Sequence, residues 1–166
     1  MFFIILGFLT TGCQQDEVTS DGKVELYLLE SYAKFDNSFQ IDESTIKTKT
    51  APLIDYADFI SYDPKNYEFK ISGNARKAID NIELAVHGVA FAVMANDTLI
   101  YSGYFWPSYS SATCDWIVID PILISDDNKI KVNLGYPGLF NGQIIPDNRN
   151  DSRIIQVFER DNKLVR

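Results

Sequence analysis

Between Tyr67 and Phe105 the apolar residues change their period twice, and few topologies accommodate such a chain. Tyr67-Glu-Phe-Lys-Ile71 alternates apolar with polar side chains, the pattern of a strand with one face buried. Ala75, Ala78, Ile79, Ile82 and Val86 then recur at helical spacing, while Asn74, Arg76, Lys77, Asp80, Asn81 and Glu83 fill the other side. Ser72 stands at the N-cap place and Gly88 where a C′ glycine belongs, so the spacing predicts a helix over about 73–87. Two apolar runs follow at 89–95 and 98–105, joined by Asn96-Asp97, which predicts a hairpin with a two-residue turn.

The flanks read as more β structure. A β-rich run at 24–32 is the first expected strand, and 33–51 reads as a loop holding one irregular edge strand. Apolar residues within 52–62 fit a short helix or turn entering a strand, and Asp63-Pro64-Lys65-Asn66 is a turn in which Pro presets φ and Asp caps. Further strands are expected at 115–119 and 129–134, separated by an Asp126-Asp127-Asn128 turn. A Gly/Pro-rich loop follows at 135–146. The last segment, 151–160, predicts a short helix capped by Asn150 or Asp151, with Ile154, Ile155 and Phe158 on one face. The expected fold class is α+β: a mostly antiparallel sheet, one main amphipathic helix at about 73–87 and a short C-terminal helix, in a single domain over 23–166.

With 46% apolar and 13% aromatic residues the chain belongs to the globular class. Its formal net charge of −8 argues against nucleic acid, whose binding rests on Lys and Arg neutralising phosphates. The same charge disfavours electrostatic adhesion to anionic lipid.

The N-terminus carries a different message. Met1-Phe-Phe-Ile-Ile-Leu-Gly-Phe-Leu-Thr-Thr-Gly-Cys13 is an apolar run too short to span a bilayer, ending in small residues and a Cys. It resembles the export signal and lipobox of a bacterial lipoprotein. The resemblance implies a signal peptide at 1–12, cleavage behind Gly12, lipidation of Cys13 and a tether over 13–22. Gln14, in place of an Asp, implies by the same resemblance the outer membrane, on its periplasmic or its cell-surface side. Asp16 and Glu17 resemble the acidic tether of Bacteroidota surface lipoproteins, and the overall layout is similar to small lipoproteins of that group.

A second resemblance covers about a quarter of the chain. Phe69-Lys70-Ile71-Ser72, Ala75, Gly88, Phe91-Ala92-Val93 and Asn96-Asp97 are similar to a strand-helix-hairpin unit in the periplasmic domain of the SecD translocase subunit. It implies local structure only, because the translocase activity needs membrane spans that do not accompany the unit.

Candidate sites are few. Residues 103–116 hold five aromatics, of which Tyr104, Trp106, Tyr109 and Trp116 are the candidate binding residues, with Ser108, Ser110, Ser111 and Thr113 among them to orient a polar ligand. Such rings form either a recognition platform or a second core layer, and core is their commoner fate. No G-x-S-x-G surrounds the serines, so no hydrolase nucleophile is marked. With Cys13 lipidated, Cys114 has no disulfide partner, and a lone free thiol is usually buried and inert unless His87 meets it. One His and one Cys are too few for a typical zinc site, and Asp147-Asn-Arg-Asn-Asp151 lacks the Gly and terminal Glu of an EF-hand loop. The acid pair Asp55/Asp58 reads as surface charge, and no cofactor is implied. The expectation is a non-catalytic, lipid-anchored envelope protein with a protein or glycan partner. A small envelope hydrolase or ligand-processing enzyme and a structural spacer are the alternatives.

Overall fold

The protein is described by a computed structural model over residues 22–166. The expected signal peptide, Cys13 and the tether up to residue 21 lie outside the described residues. Within them the order is β1 (Val24–Lys34), β2 (Ile41–Thr48), a single 3-10 turn (Tyr56–Asp58), β3 (Phe59–Asp63), β4 (Glu68–Ile71), α1 (Gly73–Asp80), β5 (Val89–Ala95), β6 (Thr98–Phe105), β7 (Cys114–Ile119), β8 (Lys129–Tyr136) and α2 (Ser152–Arg160). The strands form one sheet in the order β2-β1-β5-β6-β7-β8-β4-β3. Every pairing is antiparallel except β6 with β7. The broad α+β, mostly antiparallel expectation therefore holds.

The sheet curls. Ile54 bridges to Leu26 on β1, and only five residues later Phe59 begins β3 at the opposite end of the strand order. Five residues span at most about 17 Å, so the two ends of the sheet are drawn toward each other. α2 packs where they approach: Phe158 lies within 6.0 Å, centroid to centroid, of Tyr56, Phe59, Tyr62 and Phe69. Arg160 at its end donates to the carbonyl of Gly22, just ahead of β1. Tyr62 stacks on Phe69 at 4.4 Å and donates its hydroxyl to the Arg149 carbonyl. Each such ring contributes about 1.5–3 kcal/mol by leaving water.

Several local expectations meet the structure directly. Asn96 and Asp97 both take positive φ (53° and 59°), the geometry of a type I′ hairpin turn. Asp63 caps its own turn by accepting from the Lys65 and Asn66 amides. The irregular edge strand anticipated within 33–51 is β2. The strands expected to end at residues 32 and 134 extend to Lys34 and Tyr136.

The main helix is a correction. The spacing predicts it over 73–87, but α1 has 8 residues and buries only Ala75 and Ile79, one residue fewer than α2 buries. Ser72 caps it as anticipated, accepting from the Asn74 and Ala75 amides. It stops because Asp80 and Asn81 are poor helix formers, and Asn81 turns back onto the Lys77 carbonyl. Ile82 and Leu84 then reach the core from an irregular segment, and Val86 is left exposed. Gly88 has the anticipated positive φ of 74°, but it serves the turn into β5 and not a helix end. A Cβ there would stand 3.0 Å from both the Phe105 carbonyl oxygen and the Trp106 ring.

At the C-terminal helix Asp151, not Asn150, is the cap, accepting from the Arg153 amide. Val157 joins Ile154 and Phe158 in the core, while Ile155 is only half-buried.

Candidate functional site

The four rings singled out from the sequence do not form one exposed surface. Tyr104 and Trp106 are 1% and 0% exposed, Trp116 is 6% exposed, and only Tyr109, at 62%, stands in solvent. Alternation along β6 puts Ser102, Tyr104 and, just past the strand, Trp106 on one face of the sheet. The β1–β2 hairpin folds across that face. Tyr32 and Phe39 meet Tyr104 edge-on at 6.1 Å each, and Phe39 meets Trp106 at 4.9 Å. The second-core-layer alternative is thus the arrangement of three of the rings. Burial pushes the Tyr104 phenol well up from its ordinary range.

Two carboxylates fasten this hairpin. Glu43 of β2 accepts from the amide and hydroxyl of Ser102, whose hydroxyl in turn accepts from the Trp116 indole. Asp115 accepts from the Ser38 hydroxyl and the Phe39 amide, both at 2.6 Å, and so holds the hairpin tip. Hydrogen bonds to a charged acceptor contribute about 1.5–3 kcal/mol each. β1 can bend over because its ladder is irregular between Leu29 and Ala33, where it leaves β5 and pairs with β2.

The fastened tip leaves a groove of about 710 Å³ lined by Lys34, Phe35, Asp36, Asn37, Ser38, Phe39, Thr113 and Asp115. Phe35 is 55% exposed, and the Lys34 ammonium lies 4.6 Å over the Phe39 ring. The groove thus combines an accessible aromatic ring with carboxylate, amide, hydroxyl and ammonium groups. Such a lining suits a polar ligand with apolar faces. Of these residues only Thr113 belonged to the candidate cluster. The sequence signal for the rest is the turn-forming run Asp36-Asn37-Ser38 between two strands, which marks a loop without saying what it faces.

The other chemistry-bearing side chains each make local contacts of their own. Cys114 is fully buried and free, and desolvation pushes its thiol up to about 12, far from a usable thiolate at neutral pH. His87 packs its ring against Phe39 at 5.6 Å and Trp106 at 6.3 Å. Asp55 caps the 3-10 turn and Asp58 accepts from the Ser72 hydroxyl. Asp147 takes a two-pronged bond from the Arg149 guanidinium, which lies 3.6 Å over the Tyr67 ring and donates to the Val132 carbonyl. That pairing holds the Asp147 carboxyl below its usual range. Asp151 is paired in the same way with Arg153.

Among the described residues no group of three or more His, Cys, Asp or Glu is placed to hold a metal ion, and no helix is long and apolar enough to cross a membrane. A second groove, of about 340 Å³, runs beside β8 and β4 between Glu68, Asp127, Lys129 and Lys131. Its charges are mixed and Asp127 already pairs with Lys129. No family model, no curated protein and no solved structure matches this chain.

Proposed function

We propose that this chain is a lipid-anchored protein of the cell envelope, held at the outer membrane through Cys13, whose folded part binds a partner and performs no catalysis. The anchor reading is supported by the apolar run ending at Thr10-Thr11-Gly12-Cys13 and by the polar tether behind it. The observation that carries the binding reading is the groove at the β1–β2 tip, where an exposed ring and fixed polar groups converge. Sugars present apolar ring faces beside hydroxyls, so a glycan is the partner whose chemistry matches that lining best. Two carboxylates, Glu43 and Asp115, hold the hairpin in place, so the groove is formed before a ligand arrives and little ordering cost falls on binding. The non-catalytic reading is supported by Cys114, which is sealed in the core with its thiol pushed up to about 12.

The test uses the full chain displayed on vesicles against a panel of neutral and acidic oligosaccharides. Replacing Phe35→Ala together with Asn37→Ala is expected to weaken the best binder at least about tenfold, equivalent to about 1.4 kcal/mol. Unchanged affinity in that double variant would remove the groove from the proposal. The anchor is tested separately: Cys13→Ala is expected to release a folded protein from the membrane fraction.

A further inference from the structure

We infer that the loop from Pro137 to Pro146 rests on the lipid bilayer, its apolar side chains entering the interfacial layer and orienting the domain on its tether. The inference rests on the anchor reading above. Leu139, Phe140 and Ile144 are 53%, 51% and 82% exposed, and all three lie on this one loop. The loop has no charged side chain, in a chain of which 23% is charged and whose net charge is −8. A solvated loop of an acidic protein has no need to shed every charge, whereas one that meets hydrocarbon does. Ile145 between them is buried and ties the loop to the core.

The topology places this loop at the end of the sheet where the tether arrives. Val24 at the start of β1 pairs with Ala95 at the end of β5, beside the Asn96-Asp97 turn. β6 leaves that turn, and β7 runs parallel to β6. The start of β7, Cys114, pairs with Tyr136 at the end of β8, from which the loop departs. On the far side of the loop, Asn148 donates to the Ile100 carbonyl near the start of β6. Gly22 and Pro137 therefore leave the same end of the sheet, four strands apart, or about 19 Å at 4.8 Å per strand. The nine residues from Cys13 to Gly22 can reach at most about 30 Å. A lipid at Cys13 thus holds the bilayer within reach of this end and of this loop.

The experiment places the lipidated full chain on phosphatidylcholine vesicles with and without brominated acyl chains, and reads tryptophan quenching in Phe140→Trp and, as a second variant, Ile144→Trp. The native Trp106 and Trp116 are buried and give a low background. Brominated lipid is expected to quench the added indole at least about threefold more than the wild-type emission. Membrane fractionation of Cys13→Ala runs in parallel. If Cys13→Ala leaves the membrane but neither added indole is quenched, the anchor stands and the loop inference is overturned. If Cys13→Ala stays on the membrane, the anchor reading fails and the inference built on it falls too.

Discussion

Residues 103–116 and 135–146 are both apolar segments leaving the central strands, yet one is sealed and the other is open. Tyr104 and Trp106, the more aromatic and by sequence the more conspicuous, have lost essentially all contact with solvent, whereas Leu139, Phe140 and Ile144 keep half or more of their surface in it. The difference is the β1–β2 hairpin. It crosses the first segment, laying Tyr32 and Phe39 on the rings and fastening itself through Glu43 and Asp115. Among the described residues no element comparably covers the second. Burial here was set by a third element, some sixty residues away in sequence, and not by the hydrophobicity of the segment itself.

The sharpest way to break the comparison is Trp106→Ala. This ring touches Phe39, His87, Tyr104 and Tyr136 and is 0% exposed, so its loss is expected to cost about 3–5 kcal/mol in urea unfolding. A cost below about 1 kcal/mol would mean that the hairpin does not seal this face. Asp115→Ala comes next. It removes both bonds to the hairpin tip, with an expected loss of about 3 kcal/mol and faster amide exchange confined to residues 35–40. Uniform exchange across β1 and β2 would show that the tip is held by packing alone. The smallest effect is expected from Phe140→Ser, which costs no more than about 1 kcal/mol because half of the residue's surface is already in solvent. A larger loss would place that ring in the core and remove it from the membrane proposal.

How much of this was legible beforehand depends on the range of the interaction. The Asn96-Asp97 turn, the Ser72 cap and the Asp63 turn follow from side chains bonding to backbone two or three residues away. The helix after Ser72 was half legible. Its apolar spacing continued to Val86, but propensity at Asp80 and Asn81 ended it, and tertiary packing took up Ile82 and Leu84 without helical geometry. The groove was hardly legible, because Asp115 meets Ser38 across 77 positions of sequence. No local pattern announces that pairing.

The sequence by itself determined the mostly antiparallel α+β class, the position of the hairpin turn and the lack of charge in the loop that we place on the membrane. These are properties of periodicity, backbone preference and composition, and each is read within a few residues. Only the tertiary structure decided which aromatics are covered, that the β1–β2 tip forms a groove with Asp115, and that the 137–146 loop shares an end of the sheet with Gly22. Those outcomes depend on strand order and on the bend in β1. Both are settled by many distant contacts acting together, none of which is strong enough alone to leave a mark in the sequence.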